Sequence, residues 1–229
     1  MNIALAPSPA TPLESGSPQW LQAASRAKLL SWISLAWMGA EGSIAITAGL
    51  LASSSALIGF GLDSAIEGFA SVAIIWRFSG SRMHSERAET RAQKFVAAQF
   101  FLLAPFVAFE ALRDLLTGSP PDASWLGIAL TATSLIGMPL LGLAKQRLGQ
   151  QLGSSATYGE GTQNLLCAYL AAAVLVGLLA NAVLGAWWLD PIAALVVAAI
   201  AVVEGRRTLR GESCCVEVSP SCQEDCCAD

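Results

Sequence analysis

Hydrophobic residues run through this chain in blocks of about twenty, separated by short polar or Pro/Gly-rich gaps, and that rhythm predicts six membrane-crossing helices. The blocks cover approximately residues 30–51, 55–76, 95–116, 124–144, 159–181 and 186–204. A crossing helix needs roughly 20 apolar residues to span about 30 Å of hydrocarbon, and its backbone must satisfy its own hydrogen bonds. The expected fold is therefore an all-α membrane protein, a six-helix bundle occupying residues 29–210. The first 28 residues carry Pro7, Pro9, Pro12 and Pro18 among Ser, Thr and Gly, lack the apolar core of a signal peptide, and are expected to form a disordered lead-in. Residues 211–229 form a separate cysteine-rich tail.

Composition excludes the alternative of an ordinary soluble domain. Of 229 residues, 54% are hydrophobic and only 13% charged, and the mean hydropathy is +0.56. The charges that remain give an orientation. Arg26 and Lys28 precede the first block, Arg77, Arg82, Arg87, Arg91 and Lys94 separate the second and third, Lys145 and Arg147 separate the fourth and fifth, and Arg206, Arg207 and Arg210 follow the sixth. Arg113 falls near the opposite side. Positive residues favour the cytoplasmic side, so both termini are expected there, which requires an even number of crossings.

Against this background the stretch GLDSAIEG (61–68) stands out, because it sets Asp63 and Glu67 one helical turn apart in the second block. Two carboxylates on one helix face repel unless protonated or bridged by a cation, and each is costly at membrane depth. One hundred residues later GTQNLLCAYLAAAV (161–174) echoes GLDSAIEGFASVAI (61–74): Gly61 falls on Gly161, Phe69 on Tyr169, and Asp63 and Glu67 on Gln163 and Cys167. At 1.5 Å per residue the first pair lies roughly 12–18 Å from the outer edge and the second roughly 6–12 Å from the cytoplasmic edge, so antiparallel helices can face both pairs onto one site. Two carboxylates, an amide oxygen and a thiolate suit a tetrahedral, zinc-like ion, and the sulfur favours borderline-soft metals over magnesium or calcium. Taken singly, Cys167 also fits a small buried hydrophobe, and Gln163 an interhelical hydrogen bond.

These residues resemble the cation diffusion facilitator family of six-span, proton-coupled exporters of zinc and related divalent metals. GFGLDSAIE (59–67) follows the frame of the family's second span, A-D-G-x-H-S-x-x-D, with Asp63 at the His position and Glu67 at the Asp position. QNLLC (163–167) stands where the fifth span carries H-x-x-x-D, WWLDPIAALVVAAI (187–200) follows at the family's W-x-D-P spacing, ending the interval from Cys167 at Asp190, and FEAL (109–112) is similar to the third span. The resemblance covers about residues 30 to 210 and implies a divalent metal ion as substrate, zinc first with cadmium, cobalt and other soft metals behind it. It implies protons as counter-ion, a homodimer in membrane lipid at the cell membrane, and no enzymatic activity or nucleic-acid partner. Both imidazoles of the family's pattern are replaced here, Phe60 stands at an acidic position, and the family's cytoplasmic metal-sensing domain is expected to be absent.

The tail GESCCVEVSPSCQEDCCAD holds Cys214, Cys215, Cys222, Cys226 and Cys227 among acidic residues. In a reducing cytoplasm clustered thiols serve metal capture more often than disulfides, although an inert or redox-sensing tail has the same composition. Glu160, one turn before Gln163, is a candidate for receiving protons or metal at the cytoplasmic mouth, or a helix-start carboxylate stabilised by the macrodipole. Glu41 is a secondary candidate for the proton path. Glu110 is expected to pair with Arg113, and His84, the sole histidine, to be a solvated loop residue. The expected activity is metal/proton antiport by alternating access. Its main rival is a membrane metal sensor or buffer without transport; an intramembrane aspartyl protease would need a second catalytic Asp motif, and a passive scaffold leaves the paired polar residues unexplained.

Overall fold

A computed structural model describes residues 12–52, 55–118, 125–184 and 188–212. Six α-helices follow one another: α1 (Pro18–Ala52), α2 (Ser55–Arg77), α3 (Glu86–Thr117), α4 (Trp125–Leu152), α5 (Ser155–Leu184) and α6 (Leu189–Arg210), with a short 3-10 helix at Gly80–His84 between α2 and α3. Among the described residues, Pro18–Ala48 and Glu86–Thr117 are each long and apolar enough to cross a bilayer on their own composition.

The lead-in expected over residues 1–28 gives way to helix at Pro18. Ser17 Oγ accepts a hydrogen bond from Trp20 N (3.2 Å), and Pro18 follows in the first helical position, where its missing N–H costs nothing. The proline read as a breaker is a helix starter. The extra turns are packed, since Trp20, Ala23, Ala24 and Ala27 are all buried, and Trp20 stacks on the exposed His84 ring with centroids 5.5 Å apart. Residues 1–11 lie outside the described residues.

One end of the bundle gathers the basic segments. Leu13 N donates to the Gln151 carbonyl (2.8 Å), and Gln93 Nε2 donates to the carbonyls of Thr208 (2.8 Å) and Leu209 (3.1 Å). Arg77 binds Glu89 (Nε to Oε2, 2.8 Å) and the carbonyls of Arg82 and Met83. The other Glu89 oxygen accepts from Ser154 Oγ (2.8 Å) and Ala156 N (3.1 Å), which fastens the start of α5 to α3. Arg113 lies towards the opposite end, 3.4 Å from Glu110 as expected.

Helices pair as α1 with α2, α4 with α5, and α3 with α6, and α1 also packs on α4. The two hairpins are internal repeats at an offset of 100 residues: Ser34, Met38, Gly42, Gly59 and Gly61 recur as Ser134, Met138, Gly142, Gly159 and Gly161. Both cross at the same place. A Cβ on Gly61 would stand 2.9 Å from the Gly42 carbonyl oxygen and 3.0 Å from Ile46 N, and one on Gly161 would stand 2.7 Å from the Gly142 carbonyl oxygen and 2.8 Å from Gln146 N. Because α1 starts at the basic end and α4 finishes there, the repeats have opposite directions. Gly161→Ala is therefore expected to cost about 1–3 kcal/mol of overpacking and lower the melting temperature by roughly 5 °C. Gly39→Ala, where a Cβ meets nothing within 4 Å, should leave it unchanged; equal melting temperatures for the two variants would contradict the crossing geometry.

The bundle carries large apolar side chains on its outside and a group of polar ones among its buried residues. Leu116, Ile136 and Leu140 are 86%, 69% and 68% exposed, whereas Ser31, Ser34, Glu41, Ser64, Glu67, Ser134, Lys145, Glu160, Gln163 and Asn164 are buried. A soluble protein reverses that order, because burying a polar group without partners costs several kcal/mol. Lipid on the outside removes the reason to hide apolar side chains.

Candidate metal site

Helix periodicity puts Asp63 and Glu67 on one face of α2, and that face turns inward. Asp63 Oδ1 is buried without a hydrogen-bond partner, and the buried Glu67 carboxylate has the Cys167 thiol beside it as a hydrogen-bonding neighbour. On α5, Gln163 Oε1 and Nε2 are likewise buried and unpartnered, and Cys167, also buried, interacts electrostatically with Glu67 and Asp63. Buried polar atoms are satisfied in the great majority of cases, so this concentration on the sequence-selected residues calls for an explanation. It is what a site built to receive an ion would leave on its walls.

Glu41 of α1 joins the same charge cluster, interacting with Asp63, Glu67 and Cys167. It is held by two hydroxyls: Ser134 Oγ of α4 donates to its Oε1, and Ser64 Oγ of α2 donates to its Oε2 (3.4 Å). Three helices thus fix one carboxylate beside two that are held less firmly. Met38 and Met138, at equivalent repeat positions, pack with Cys167 and Ala168 in one buried cluster.

Of the four expected ligands, Asp63, Glu67 and Cys167 interact with one another. Among the described residues, no three of the His, Cys, Asp and Glu side chains are grouped so as to hold one metal ion. Glu160 is placed differently from the expectation. It is not an open mouth residue but half of a buried ion pair, with its Oε1 2.7 Å from Lys145 Nζ and side-chain exposures of 1% and 0%. Ser31 Oγ donates to its Oε2 (2.7 Å), Lys145 Nζ also donates to Ser34 Oγ (2.6 Å), and Asn164 Nδ2 donates to the same hydroxyl (3.4 Å). Lys145 is close enough for its charge to act on Glu67.

Sequence reasoning missed Lys145, Ser31, Ser34, Ser134, Met38 and Met138 as parts of the polar interior. A signal for Lys145 existed: Met138, Gly142, Lys145 and Gly149 fall on one buried stripe of α4, where a surface lysine has no place. The Asp190 side chain and the tail thiols Cys214, Cys215, Cys222, Cys226 and Cys227 lie outside the described residues.

Comparison with known proteins places the arrangement. Residues 31–212 match the family model of the cation efflux transmembrane domain. Transmembrane protein 163 of Xenopus laevis is 27% identical over 142 residues, which cover 62% of this chain and 50% of that relative. The chain thus matches about half the length of this curated relative. With a family match running from the first buried serine of α1 to beyond the end of α6, around a six-helix bundle with apolar side chains outside and polar ones among its buried residues, this chain belongs to the cation efflux family.

Proposed function

We propose that the protein exports a divalent, borderline-soft metal cation, zinc or a softer neighbour such as cadmium, in exchange for protons. The observation that carries this reading is the buried acidic pair Asp63 and Glu67 with the thiol of Cys167 against it, together with the unpartnered atoms of Asp63 and Gln163. The basic end of the bundle, with both termini, faces the cytoplasm of the cell membrane, by the excess of Lys and Arg there. Metal entering from that side displaces protons from Asp63, Glu67 and Cys167, because metal ligands must be deprotonated. The opposed repeats then expose the site outward, where the cation leaves and protons return. Glu41, tied to Ser134 and Ser64, stands on the proton path.

Softness is the finer part of the proposal. The thioethers of Met38 and Met138 share a wall with the Cys167 thiol, and sulfur ligands favour softer cations. In proteoliposomes carrying a metal gradient and an internal pH indicator, zinc and cadmium flux is expected to drive counter-movement of protons. Met38→Leu/Met138→Leu should lower the cadmium-to-zinc rate ratio severalfold while leaving zinc flux within about twofold, because Leu keeps the volume and removes only the sulfur. Saturable metal binding without flux would replace the exporter by a membrane sensor or buffer. Metal flux with no proton movement would remove the antiport.

A further inference from the structure

The two repeats build related polar clusters with opposite charge at their centres. In one, Ser134 and Ser64 hold the Glu41 carboxylate. In the other, Ser34, which Asn164 also binds, holds the Lys145 ammonium. Ser34 corresponds to Ser134 and Asn164 to Ser64 at the offset of 100 residues, so the clusters are counterparts on opposite halves of the bundle. Between them α1 rises about 10 Å from Ser34 to Glu41. Lys145 is further locked to Glu160, which Ser31 holds from α1. The positions matching Lys145 and Glu160 in the first repeat are Ala45 and Phe60, which cannot form an ion pair.

A fully buried ion pair is a poor way to gain stability, since desolvation offsets most of its attraction and a well-packed apolar pair often does as well. Its value lies elsewhere. This pair joins α1, α4 and α5 on the half of the bundle nearest the α4–α5 turn, and its ammonium acts on Glu67 of the metal site. A cation approaching the acidic cluster from that end meets Lys145 first, as a charge of its own sign at the centre of a closed contact. We infer that Lys145 and Glu160 are the gate on the cytoplasmic half of the cation path, closed by their ion pair and opened when it separates. The inference rests on the proposed function for which end is cytoplasmic and for Cys167 lying on the path. These are positioning residues, acting through access to Asp63, Glu67 and Cys167.

The buried Cys167 thiol reports on the gate. With Cys214, Cys215, Cys222, Cys226 and Cys227 replaced by Ser, its modification by a membrane-impermeant thiol reagent is measured from each face of oriented vesicles, without added metal. Lys145→Ala/Glu160→Phe gives the second repeat the residues of the first and avoids a lone buried charge. Modification from the cytoplasmic face is expected to accelerate at least tenfold in this variant, with the outer face no faster, and the charge exchange Lys145→Glu/Glu160→Lys should restore most of the protection. An unchanged cytoplasmic rate in a folded, monodisperse double variant overturns the gate, as does equal acceleration from both faces, which marks general loosening. Cadmium titrated into the detergent-solubilised parent separates this from the transport reading. Failure of cadmium to bind or to protect Cys167, with the face-selective acceleration intact, would overturn the metal site and leave the gate standing.

Discussion

Asp63→Asn/Glu67→Gln is expected to reduce metal flux in proteoliposomes by more than 100-fold, to the leak of protein-free vesicles, while the detergent-solubilised protein melts at the parental temperature or above it. Both substitutions keep volume and shape and remove only negative charge. A divalent ion brought out of water into this interior needs that charge, and losing mere outer-shell partners of a metal typically costs 10–100-fold in affinity or activity. Removing two directly coordinating carboxylates goes further. Stability moves the other way, because Asp63 buries a carboxylate oxygen without a hydrogen-bond partner and Glu67 buries its carboxylate beside Asp63 with the weak Cys167 thiol as donor, and such groups burden the folded state. Function and stability should therefore separate. Retained flux in a folded double variant would show that the cation passes elsewhere; a collapse of the fold together with flux would make the pair structural.

The six-helix fold and the acidic pair were legible because both rest on one-dimensional signals. Apolar runs of membrane length and an i, i+4 pair of carboxylates survive without tertiary information. The start of α1 was hidden by Pro18, whose effect depends on whether a cap precedes it, and Ser17 does. Lys145 was hidden by its neighbour: two residues from the exposed Arg147 it reads as a loop charge, yet the helix turns it onto the stripe shared with Met138 and Gly142. The echo between 61–74 and 161–174 pointed at two antiparallel helices facing one site, but the paired hairpins required Gly42 and Gly142, which lie on other helices. Glu160 shows the limit most clearly. Its i−3 relation to Gln163 suggested a shared ligand face, and no local pattern announces an ammonium at 2.7 Å.

Lys145→Ala alone should be among the most destabilising substitutions in the bundle, at about 3–5 kcal/mol, seen as a fall in melting temperature on the order of 10 °C. The loss comes from what is left behind. Glu160, with its side chain 1% exposed, would be left buried with Ser31 as its remaining hydrogen-bond donor, and Ser34 would lose the ammonium that now donates to it. Replacing both partners by apolar residues of similar size, Lys145→Met/Glu160→Leu, abolishes the desolvation cost as well as the attraction, so this variant should melt within a few degrees of the parent or above it. The coupling energy from the cycle of Lys145→Met, Glu160→Leu and their double variant measures the pair itself. A Lys145→Ala protein as stable as the parent would mean that water or another side chain reaches Glu160. The interior around it would then be far more open than a sealed contact between α1, α4 and α5 allows.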